Sequence, residues 1–188
     1  LVGSIGAGVF GSARLGVGLY IIHVLAAAIT GLFFRVDGKC RGNAPAAPRE
    51  SGGALIESVR QAAQSILSVC GFIVCFCIII GLLDAHGMFS LLAGQLAQIT
   101  GLELHAARAV LAGFLELGSG IGSMRGLAVS PANLAIAAGI VGWGGVSVHF
   151  QTYAVLADSD IKGGLHLAGR LINCAVSAAL GYIFGLLL

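Results

Sequence analysis

The chain has 188 residues, of which 57% are hydrophobic and 10% charged, with 30 glycines and a formal net charge of +2. A soluble domain carries roughly 25% charged residues, so this composition and a mean hydropathy of +0.99 exclude a water-soluble globule and make lipid the solvent for most of the chain. Ten Lys and Arg spread along the sequence exclude a nucleic-acid binder, which needs a clustered basic footprint.

In chain order, Leu15 to Phe34 has no formal charge over twenty residues, enough at 1.5 Å per residue to cross a hydrocarbon core of roughly 30 Å. It predicts the first spanning helix. Residues 35–53 combine Arg35, Lys39, Arg41 and Arg49 with Pro45, Pro48 and several glycines, the composition of an aqueous loop. The Asp84 to Glu103 connection has no Lys or Arg, so the 35–53 loop is expected on the cytoplasmic side. Glu57, Arg60, Gln61 and Gln64 recur at helical spacing and predict an interfacial helix before a second span over Ile66 to Leu83. Asp84, His86 and Gly87 end that span. Met88 to Leu102, with Gln95 and Gln98 on one face, is expected to lie along the interface.

Leu104 to Leu117 and Pro131 to Val141 are apolar but shorter than the roughly 17 residues a span requires. The first runs into Glu116-Leu-Gly-Ser-Gly-Ile-Gly-Ser-Met-Arg125 and the second into Gly142-Trp-Gly-Gly-Val-Ser-Val-His149-Phe-Gln151. Both predict half-helices that break at membrane depth, at Gly118 to Gly122 and Gly142 to Gly145. A polar turn at Asp158 to Lys162 precedes a last span, Leu165 to Leu188. The predicted fold class is therefore all-α, a polytopic membrane protein with about three full spans plus two broken or re-entrant helical segments. Because the chain opens at Leu1 inside an apolar stretch, it is expected to be one part of something longer.

Lipid cannot satisfy freed backbone groups, so a broken helix needs protein or a hydrated cavity around it, and transporters place such breaks around a midplane site. The candidate solute-binding or gating residues are Glu116, Ser119, Gly120, Trp143, Gly144, Gly145, Ser147, His149 and Gln151. Glu116 ranks first because a carboxylate among Phe114, Leu115 and Leu117 is costly in hydrocarbon and usually serves a cavity or a proton path; the alternative is a structural pair with Arg108 or Arg125. Trp143 is expected to stack on a planar ligand or, next to a helix end, to act as a membrane-interface anchor. His149 and Gln151 bind a solute or satisfy nearby backbone. His23 is expected to hydrogen-bond an adjacent helix and Arg170 to snorkel to the interface. The five cysteines, four of them in apolar runs, read as packing residues rather than as a metal knuckle. No catalytic motif, metal site or cofactor cradle is visible, and no enzyme activity is expected.

The stretch Gly142-Trp-Gly-Gly-Val-Ser-Val-His-Phe-Gln151 resembles the signature of YlbJ-type sporulation integral membrane proteins, which group with spore maturation proteins in the nucleoside-recognition or Gate domain superfamily. Val2 to Ser12, Glu57-Ser-Val and Phe114-Leu-Glu-Leu-Gly-Ser-Gly120 agree with it, and the likeness covers the C-terminal half of full-length members. Where members commonly read a Thr-Asn-Gly-like triplet after Phe-Leu-Glu, this chain has Leu117-Gly-Ser-Gly120, which weakens or moves any solute contact there. The resemblance implies a Gate-like membrane domain over 54–188, preceded by a first span within 1–34 and the loop 35–53. It implies a multi-pass protein of the bacterial plasma membrane in spore formers, acting on a small polar solute, with nucleosides the class suggested by the superfamily. A non-transporting scaffold is the alternative. Expected partners are the bilayer, the solute, and either a second copy of the chain or a missing N-terminal half, with no cofactor and no nucleic acid.

Overall fold

The computed structural model describes residues 2–34, 51–156 and 163–188. The 35–50 stretch, with its four cationic residues and Cys40, and the Asp158 to Lys162 turn lie outside the described residues. Every regular element described is helical, and the all-α expectation holds.

A π-helical stretch, Val2–Ala7, leads into α1, Ala13–Phe33. The remaining helices are α2 (Ser51–Ala85), α3 (Met88–Thr100), α4 (Leu104–Leu115), α5 (Leu117–Gly122), α6 (Pro131–Trp143), α7 (Val146–Leu156) and α8 (Gly163–Leu186). Four stretches are long and apolar enough to cross a membrane: Ala13–Phe33, Gly53–Ala85, Pro131–Ala154 and Gly163–Leu186. The chain is accordingly a membrane protein. The count is four where the sequence reading gave about three full spans. The difference lies in α6 and α7, which follow one another along α8 to make a single 24-residue path interrupted at Gly144 and Gly145.

Two expectations for α2 are corrected. The polar segment 54–64 does not form a separate interfacial helix but continues into the span as one rod of 35 residues, roughly 52 Å long and so well beyond a 30 Å hydrocarbon core. Its polar residues are consistent with helix because they bond within it: Glu57 accepts from Arg60 and from Gln61, at 3.0 Å each, the favourable i,i+3 and i,i+4 geometry. The helix also begins at Ser51, inside the stretch expected to be loop.

The core lies where α1 and α6 pack on α8. Antiparallel α1 places Phe34 beside Gly169 and Thr30 beside Asn173. Helix α6 also runs antiparallel to α8, with Pro131 against Gly185, Leu134 against Gly181 and Gly142 against Ser177. Ser130 caps α6 by accepting from Asn133 N at 3.2 Å, with Pro131 in the first turn, where its missing N–H costs nothing. Leu19, Ile22, Met124, Leu134, Ala137 and Ile140 fill the centre. Helix α2 stands apart: of its described residues only Phe76 is buried, and it reaches α7 through Phe72 and Phe76 against Phe150.

Candidate functional site at two docked helix breaks

The first break falls at Glu116, two residues before the expected position. Glu116 is in extended conformation (φ −144°, ψ 124°), and Gly118 to Gly122 are helical in α5. The residue forms its own break. Its carboxylate, 4% exposed, accepts from Gly118 N at 2.8 Å and Ser119 N at 2.6 Å. Those N–H groups are the unpaired donors of a helix start, where the macrodipole also favours negative charge. The carboxylate's desolvation is thus offset by two charge-assisted bonds. The alternative of a pair with Arg108 is corrected, because Arg108 binds Asp84 Oδ1 at 2.7 Å and Ser90 Oγ at 2.6 Å. Arg125 forms no ion pair with Glu116 either.

The second break is made by Gly144 and Gly145, with φ of +88° and +85°, a conformation open to glycine and costly for other residues. Gly144 N closes α6 by donating to Ile140 O at 2.9 Å. The carbonyl freed at Gly142 accepts from Asn173 Nδ2 at 3.0 Å.

The two breaks dock on each other. A Cβ on Gly145 would stand 2.9 Å from Leu117 N and 3.2 Å from Glu116 Cα, so the absence of a side chain permits backbone-to-backbone contact. Trp143 ties them a second time: its indole N–H donates to Phe114 O at 3.0 Å, and its ring stacks on Phe114 at 5.5 Å. This tie between the two breaks is a role that neither sequence reading of Trp143, ligand stacking or membrane-interface anchor, foresees. Gly120 serves a similar purpose within the first segment, because a Cβ there would strike the backbone of Gly113 and stop α5 folding back on α4.

Of the other candidates, Ser119 has its hydroxyl 3.5 Å from Cys77 Sγ of α2. Ser147 is 0% exposed and His149 5%. His149 Nδ1 meets His166 Nε2 at 3.3 Å, and its ring lies 4.3 Å from that of Trp143. Ser147 Oγ, His149 Nε2 and Gln151 Nε2 are buried and without a hydrogen-bond partner among the described residues, whereas buried polar groups are almost always satisfied by protein or water. Gln151 is directed elsewhere, into a cleft of about 650 Å³ between α2 and α7 with Gln61, Gln64, Ser65 and Ser68.

On the far side of α7, a cavity of about 520 Å³ opens between α1, α7 and α8, lined by His23, Thr30, Thr152, His166, Arg170 and Asn173 among others. Asn173 was not singled out from sequence. It bridges α1 and α6, with Oδ1 3.4 Å from the Thr30 hydroxyl and Nδ2 on Gly142 O. Two expectations change here. The buried Nδ1 of His23 has no partner among the described residues, and the residue lines the cavity rather than bonding an adjacent described helix. Arg170 does not run out along its helix; its Nη1 is 3.9 Å from where a Cβ on Gly144 would stand. Among the described residues, no group of three or more His, Cys, Asp or Glu gathers as a metal site. No protein-family model, curated protein or solved structure matches the chain.

Proposed function

We propose that the chain is a permease-like membrane protein that binds a small polar solute beside its docked helix breaks. In line with the resemblance to YlbJ-type and Gate-domain proteins, the setting would be the bacterial plasma membrane during spore formation, with a nucleoside as the first solute class to try. One observation carries the reading: directly beyond the break at Gly144 and Gly145, Ser147 Oγ and His149 Nε2 are buried and lack hydrogen-bond partners among the described residues, two hydrogen-bonding groups beside a break whose carbonyls at Ile140 and Gly142 are already occupied. Glu116, Ser119, Gly120, Gly144 and Gly145 shape the site, and the solute contacts fall to Ser147 and His149.

Uptake of labelled nucleosides and other small polar solutes into proteoliposomes tests this. Losing one buried hydrogen bond to the solute lowers affinity about tenfold, so Ser147→Ala and His149→Ala should each reduce uptake by that order at sub-saturating solute. Uptake equal to wild type in both variants, or none above empty vesicles for any solute, would overturn the assignment.

A second reading, a non-transporting scaffold, draws support from α2, where Phe76 alone is buried among the residues whose burial is described. Cysteines introduced at positions 119 and 147 separate the two. Reaction with a water-soluble thiol reagent favours a hydrated site, and protection favours a packed scaffold.

A further inference from the structure

We propose that the cavity between α1, α7 and α8 is an anion site, in which a phosphate or carboxylate group sits against the Arg170 guanidinium. This goes beyond the solute reading and stands on different residues.

The argument starts from cost. Arg170 lies in a helix long and apolar enough to cross a membrane, where a cation is expensive unless paired. It forms no hydrogen bond or ion pair with any described residue. Its guanidinium lies beside the C-terminal end of α6, whose dipole supplies the equivalent of only about half a negative charge. The carbonyls there are partly taken, Ile140 O by Gly144 N and Gly142 O by Asn173. Several of the five guanidinium N–H donors are therefore left for something else.

The rest of the lining selects that partner's sign. Among the described residues, no Asp or Glu lines the cavity. His166 spends Nε2 on His149 Nδ1, and its Nδ1 has no hydrogen bond to a described residue. In the tautomer where His149 Nδ1–H donates, His166 carries its proton on Nδ1 and offers it as a further donor. The Nδ1 of His23 is buried and has no partner among the described residues. The hydroxyls of Thr30 and Thr152 already donate, to Asn173 Oδ1 and Val148 O, so the donors left in the wall are those of the guanidinium and the imidazoles. One permanent cation and two imidazoles, with no carboxylate among the described lining residues, favour an anion over a neutral or cationic ligand, and a planar guanidinium suits the paired oxygens of phosphate or carboxylate. At about 520 Å³ the space lies in the range of small-molecule sites. A free anionic metabolite and an anionic lipid headgroup offer the same oxygens.

The test uses the full chain in nanodiscs. With phosphatidylcholine alone, inorganic phosphate is titrated by calorimetry; with added phosphatidylglycerol, retained lipid is counted by native mass spectrometry. Arg170→Gln should weaken phosphate binding at least about tenfold, Arg170→Lys should fall between it and wild type, and Arg14→Gln, an exposed cation outside the cavity, should change nothing. Saturable phosphate binding with that pattern identifies a soluble anion. No phosphate binding, but phosphatidylglycerol retained by wild type and lost in Arg170→Gln, identifies a headgroup. If Arg170→Gln fails to fold, Arg170→Lys carries the comparison. Binding of neither probe, or binding equally affected by Arg14→Gln, overturns the proposal. Ser147→Ala should leave anion binding intact, so failure here and failure of the solute site can be told apart.

Discussion

Gly144 and Gly145 allow the docking of the two breaks to be measured by a matched pair of substitutions. Both have φ near +85°, so an alanine at either bears the same left-handed strain, about 1–2 kcal/mol. They differ in space. A Cβ on Gly144 would meet only the Val148 side chain at 3.7 Å and Arg170 Nη1 at 3.9 Å, both ordinary contacts. On Gly145 it would lie 2.9 Å from Leu117 N and 3.2 Å from Glu116 Cα and Leu115 O, all backbone that cannot rotate away. Overpacking of that kind adds about 1–3 kcal/mol. Gly144→Ala should therefore destabilise by about 1–2 kcal/mol, and Gly145→Ala by about 2–5 kcal/mol from the sum of strain and overpacking. The assay is reversible unfolding in mixed micelles, each variant referred to wild type. Equal losses at the two positions would refute the docking, because strain alone would then explain both.

Asn173→Leu removes the donor to Gly142 O and the acceptor of Thr30 from a buried position, and interhelical bonds of this type in membranes are worth about 0.6–2 kcal/mol each; the same unfolding assay should show a loss of about 1–3 kcal/mol, and a neutral result would mean that water replaces both bonds. For Arg108 and Asp84, at 2.7 Å with side chains 32% and 48% exposed, solvent screening limits the coupling to about 0.2–1 kcal/mol. A double-mutant cycle with Arg108→Gln and Asp84→Asn reads it directly, and a coupling well above that range would show a drier corner than the exposure implies.

Much of the fold was legible because hydropathy and length answer to bilayer thickness: the spans near α1 and α2 follow from uncharged runs, and that near α8 from an apolar run interrupted by Arg170. The break at Gly144 and Gly145 was also visible, since two adjacent glycines after a short apolar run leave few other uses. The break at Glu116 was placed two residues late because glycine invites a break, whereas here a side chain makes it by capping the helix that follows. The continuity of α2 was missed because Glu57, Arg60 and Gln64 look interfacial when the helix is assumed to stop at the membrane edge. The roles of Asn173 and Arg170 were not legible, for Asn173 meets its partner 31 positions away and a single sequence carries no pairing information.

The seam between α6 and α8 has a mechanical consequence. At Gly181 a Cβ would stand 2.7 Å from Leu134 O, and at Gly142 2.8 Å from Asn173 O. Sliding one helix past the other by a residue would drive side chains into main chain at these points, so the pair resists shear and moves as one body. Any motion within the chain then falls to the elements without such a lock, above all the loosely attached rod of α2, with α6 and α8 as the frame against which it turns.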